Sequence, residues 1–61
     1  MKRQALLQHL RRHGCIFKRE GASHSLWENP RTGYVEAGPR DNEIPDILAK
    51  KICRSLAVPH P

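Results

Sequence analysis

His24 is the side chain in this chain best suited to chemistry. It lies in Arg19-Glu20-Gly21-Ala22-Ser23-His24-Ser25-Leu26-Trp27-Glu28-Asn29-Pro30, where a turn-forming Gly-Ala pair delivers a Ser-His onto a stretch that reads as a strand. A free imidazole ionises near pH ~6.5, so it both takes and gives protons near neutrality. Ser23 stands next to it in the chain and is placed to orient the ring. The plainer reading of a strand histidine is a surface side chain making an ordinary hydrogen bond.

Other reactive types are present but less suggestively arranged. His9 and His13 are spaced i, i+4 on a helical stretch, a geometry that binds zinc. Cys15 follows closely, yet no fourth ligand is apparent, and ordinary solvated side chains account for the pair. Cys53 lies beside Arg54, a setting that lowers a thiol pKa when it is solvent-facing. Its place on an apolar helix stripe argues instead for inert packing.

The elements that must position these groups follow from periodicity. Residues 2–13 read as a helix with Leu6, Leu7 and Leu10 on one side. Gly14 then sits where a left-handed helix end wants glycine. Residues 15–20 are β-branched and aromatic enough for a strand, and Gly21-Ala22 is the expected turn. Residues 23–28 form a second strand. Its period of two puts Ser23, Ser25 and Trp27 on one face and His24, Leu26 and Glu28 on the other. With Trp27 as core anchor, His24 points away from the core. Asn29 to Gly33 is turn chemistry, and residues 34–37 make a short third strand ended by Gly38-Pro39. Pro45 suits a helix's first turn, and Ile44, Leu48, Ile52 and Leu56 repeat at four-residue spacing with Ile47 alongside. The expected fold is α+β, an α-β-β-β-α two-layer domain with a three-stranded antiparallel sheet and two helices on one face.

Size and charge bound what such a domain does. Its 61 residues make one domain at most. A chain this short buries only about 60% of its unfolded surface, so a deep cofactor pocket would consume the core. Eleven Lys plus Arg against six Asp plus Glu give a net charge of +5, which favours an anionic partner. One Trp, one Tyr and one Phe are too few for a platform that stacks several bases. No apolar run approaches the ~20 residues of a membrane helix. The two cysteines stand far apart and no secretory pattern opens the chain, so a reducing, cytoplasmic compartment with both thiols as apolar fillers is expected.

The order of elements and several residues resemble the HicA family of bacterial and archaeal toxins, small mRNA interferases with a double-stranded-RNA-binding-like fold. The resemblance spans nearly the whole chain. It runs through His13-Gly14-Cys15, Arg19-Glu20-Gly21-Ala22-Ser23-His24, Trp27, Asn29-Pro30, Pro39-Arg40, Glu43-Ile44 and the stretch from Leu48 to Leu56. The Gly-x-Ser-His element carries most of its specificity. The resemblance implies that His24 is catalytic, that RNA is the substrate and that a HicB-type antitoxin covers the His24 face, in a possible higher hetero-oligomer. Ala22 stands where many members have glycine. Glu28 or Asn29, and Asp41, stand where members often carry a further histidine.

RNA supplies its own nucleophile. Removing the 2′-hydroxyl proton lets that oxygen attack the adjacent phosphate, giving a cyclic phosphate and a free 5′-hydroxyl without a metal or other cofactor. One positioned general acid–base contributes about 10²–10⁴-fold. The remainder must come from holding the phosphate in line and neutralising charge. Lys18, Arg19, Arg31 and Arg40 are the candidates for that work. Lys50, Lys51 and Arg54 form a basic strip on the second helix that would track phosphates, as lysines do in double-stranded-RNA-binding domains. A solvated helix face is the plainer account of each. The expectation is therefore a metal-independent endoribonuclease acting as a toxin. The alternative is a non-catalytic RNA-binding or protein-interaction module, or an inactive toxin remnant.

Overall fold

The computed structural model describes residues 1–21 and 24–61. Its order is α1 (Arg3–Arg12), β1 (Ile16–Glu20), β2 (His24–Asn29), β3 (Tyr34–Pro39) and α2 (Asp46–Ser55), as the periodicities lead one to expect. The strands form one antiparallel sheet in the order β1-β2-β3, with β2 in the middle. Both helices pack on one face of it. The expected Gly21-Ala22 turn and the Ser23 position fall partly or wholly outside the described residues. No helix among those residues is long and apolar enough to cross a membrane.

Alternation along β2 divides the molecule. Ser25, Trp27 and Asn29 are buried beneath the helices, whereas His24 is exposed and Leu26 and Glu28 are half-buried on the other face. Trp27 is 2% exposed and joins Leu6, Leu10, Ile44, Ala49, Ile52, Cys53 and Leu56 in one core. Phe17 meets Trp27 edge-on at 5.6 Å between ring centroids, and the Arg11 guanidinium lies 5.4 Å from the Trp27 ring. Among the described residues none forms a layer over the far face of the sheet. That face presents Ile16, Leu26, Val35 and Ala37 together with His24 and Arg19.

Both helices end in the same way. Gly14 N–H bonds Arg11 O and Cys15 N–H bonds Leu10 O; Ala57 N–H bonds Arg54 O and Val58 N–H bonds Cys53 O. Each pair is the double hydrogen bond of a Schellman ending, which needs one left-handed residue. Gly14 supplies it at φ +88°, as its position suggests. Ala57 supplies it at φ +59°, where a side chain costs about 1–2 kcal/mol. The return is the burial of Val58 against the core.

Three sequence expectations need correction. Ile47 does not join the apolar stripe; it is 85% exposed, and Ala49 and Cys53 take the buried positions. Asn29 is not a turn residue alone. It ends β2 buried, its Nδ2 donating to Leu56 O at 2.7 Å while its Oδ1 accepts from Arg31 N–H at 3.0 Å. β3 runs on through Gly38 and Pro39, because Pro39 and Gly38 pair with His24 and Ser25 and so extend the sheet to the start of β2.

Cys15 and Cys53 are free and buried. Burial pushes both thiols above their ordinary pKa, and for Cys53 the neighbouring Cys15 adds to the effect. In the unfolded chain a thiol ionises near ~8.5, so stability is full below that range and falls as pH rises through it. Neither thiol is expected to react with a water-soluble disulfide reagent at pH 8 until urea unfolds the protein. Prompt modification of the native protein would contradict this packing.

Candidate active site

His24 owes its position to the meeting of three strands. It is the first residue of β2, pairs in register with Pro39 of β3, and its carbonyl accepts the Gly21 N–H at 2.7 Å across the end of the β1–β2 hairpin. The alternation that buries Ser25 and Trp27 turns the imidazole to the open face. There it lines a shallow depression with Arg19, Glu20, Gly21, Leu26 and Ala37.

A bulge in β1 sets which cation stands beside it. Phe17 pairs with Trp27, and the next pair is Arg19 with Leu26, so Lys18 is the extra residue. Without the bulge Lys18 would oppose Leu26 and Arg19 would oppose Ser25. With it, Arg19 shares the open face with Leu26 and His24, and Glu20 stands opposite Ser25 with its side chain still part-exposed. Bulges recur where a side chain must be re-aimed, and this one re-aims two.

Beneath His24 lies a polar network. Ser25 Oγ–H donates to Glu20 Oε1 at 2.7 Å, and Arg3 Nη2 donates to Ser25 Oγ at 3.1 Å. Arg3 Nε donates to Pro39 O at 3.4 Å, and Arg40 Nε–H meets Glu20 Oε2 at 2.7 Å. Ser25 is 1% exposed, so its hydroxyl depends on these partners. Arg3 is itself anchored where its N–H bonds Asn42 O, next to the exposed Lys2–Glu43 ion pair.

Of the residues singled out from sequence, Arg19 and Arg40 stand with His24 at this end of the sheet. Lys18 is adjacent but is the bulged residue. Ser23 lies outside the described residues. Arg31 is at the other end: the five steps from His24 to Asn29 span about 17 Å of strand, and Arg31 lies in the turn beyond. Lys50 and Lys51 are exposed on α2, in the helix layer on the opposite side of the sheet from the His24 ring. His9 and His13 sit with ring centroids 4.6 Å apart, but His9 Nε2 is bonded to Pro59 O at 2.7 Å. Among the described residues no three His, Cys, Asp or Glu side chains group as a metal site.

The sequence reading missed Glu20, Ser25 and Arg3. One signal was available: Ser25 shares the Trp27 face by period two, and a hydroxyl at a core position demands a partner.

The arrangement is an exposed imidazole beside a guanidinium, on an open surface that encloses no small molecule. It suits a long substrate laid across the sheet. No family model matches the chain, and neither a curated protein nor a solved structure matches it.

Proposed function

We propose that this protein is an endoribonuclease that cuts RNA by histidine-dependent, metal-independent chemistry, as the toxin of a toxin–antitoxin pair resembling HicA and HicB. The observation that carries the reading is His24 of the Gly-x-Ser-His element, exposed on the open sheet face with Arg19 beside it. The net charge of +5 favours a polyanion.

In this reading His24 takes the proton of a ribose 2′-hydroxyl. The 2′-oxygen bonds to the adjacent phosphorus, the bond from phosphorus to the 5′-oxygen breaks, and that oxygen leaves with a proton from solvent. Arg19 and Arg40 offset the charge gathering on the phosphate oxygens. Lys18 and Arg31 hold more distant phosphates of the same strand, whereas Lys50 and Lys51, in the helix layer behind the sheet, lie away from it. Ile16, Leu26 and Val35 give the same face the apolar centre that a protein antitoxin would cover.

The test is the chemistry of the cut ends. Purified protein incubated with a defined RNA in EDTA is expected to leave 2′,3′-cyclic phosphate and 5′-hydroxyl termini. Termini bearing a 5′-phosphate would mean a different reaction. RNA binding without any cleavage would make the protein a binding module.

A further inference from the structure

We propose that Glu20 is a positioning residue for His24, acting through a clamp that closes the hairpin end. The inference rests on His24 being the reactive group. Four observations converge on Glu20. The β1 bulge sets it opposite Ser25. One carboxylate oxygen accepts from the buried Ser25 hydroxyl at 2.7 Å and the other meets Arg40 Nε at 2.7 Å. Ser25 in turn is bonded by Arg3 of α1, which also reaches Pro39 O. Ser25 follows His24 in the chain, Gly21 follows Glu20, and Pro39 is the register partner of His24.

The carboxylate therefore ties β1, β2, the end of β3 and α1 together around one residue. His24 itself has its carbonyl bonded to Gly21 N–H at 2.7 Å, a bond that survives only while the hairpin end stays closed. Glu20 also lines the rim of the His24 depression, but both oxygens of its carboxylate are engaged, one by Ser25 and the other by Arg40. Its effect on chemistry passes through the backbone of His24, and of its two contacts the bond to Ser25 is the one that does this. The Arg40 pair is half-exposed, where an ion pair contributes little.

Glu20→Ala, Glu20→Gln, Ser25→Ala and the double Glu20→Ala/Ser25→Ala variant separate the possibilities. Amide exchange read by NMR at Gly21 reports the hairpin end, and exchange at Leu56, whose N–H bonds Ile52 O in α2, reports the whole fold. In Glu20→Ala, Gly21 exchange is expected to quicken by about tenfold while Leu56 stays as in wild type. Cleavage kcat should fall by about 10- to 100-fold, with KM within about twofold. Glu20→Gln keeps an oxygen for Ser25 and should restore most of both. Ser25→Ala should match Glu20→Ala, and the double variant should be no worse than either.

Unchanged Gly21 exchange in Glu20→Ala would overturn the clamp. So would equal acceleration at Gly21 and Leu56, which marks a general loss of stability, or a Glu20→Gln variant as impaired as Glu20→Ala. If the exchange results hold but wild type cuts no RNA, the clamp stands and the nuclease reading fails.

Discussion

His24→Ala should lower RNA cleavage by about 10²–10⁴-fold, the usual contribution of one positioned acid–base group. The fold should survive, because the ring is on the open face and belongs to no part of the core. RNA affinity should survive as well, since Arg19, Arg40 and Lys18 leave the positive charge at that end of the sheet in place. The result expected is thus a protein with wild-type circular dichroism and RNA binding, no cyclic-phosphate product, and no growth arrest on expression. A variant that cuts at the wild-type rate would remove His24 from the mechanism. Loss of binding together with cleavage would show the imidazole to be a substrate contact rather than a proton carrier.

Trp27→Ala should have the largest effect on folding. The indole sits at the centre of the middle strand, 2% exposed, with Phe17 against its edge and Arg11 near its ring. Truncating a buried Trp costs about 3–5 kcal/mol. At about 0.05–0.15 kcal/mol per residue, a chain of this length has only about 3–9 kcal/mol to lose. The variant is therefore expected to be largely unfolded at 25 °C, with collapsed amide dispersion in its NMR spectrum. A cooperative thermal transition within about 5 °C of wild type would mean that the core does not turn on this residue.

The elements were legible where one periodicity acts alone. Period two along β2 correctly separates His24, Leu26 and Glu28 from Ser25 and Trp27, because the central strand is paired on both sides. Gly14 announces its left-handed helix end because glycine is the residue type that favours it. Ala57 does the same work without any sequence signal. The Ile47 placement failed because Ile44 lies before α2 begins and says nothing about which helix face is apolar. At about 100° per residue, Ile47 falls opposite Leu56 and joins Lys50, Lys51 and Arg54 on the solvent side.

The site was legible in part. His24 was found from its type and its turn. Arg19 and Lys18 were indistinguishable in sequence, since only the bulge decides which of two adjacent cations faces His24. Arg31 looked close because it is seven residues away in the chain, whereas a strand carries it to the far end of the sheet. The Glu20–Ser25–Arg3 network joins residues whose proximity depends on register and on α1 packing, neither of which periodicity fixes.

The bare sheet face sets how the free protein melts. Strands that bury one side only release less apolar surface on unfolding, so enthalpy and heat capacity are both small. At about 0.7 kcal/mol per residue the unfolding enthalpy is on the order of 40 kcal/mol, which spreads the thermal transition over roughly 20 °C. An appreciable unfolded fraction then exists well below the midpoint, open to proteases. A ligand or protein seated on Ile16, Leu26 and Val35 would draw that fraction down by mass action. Any partner that covers the face carrying His24 would thereby lengthen the life of the chain in a cell.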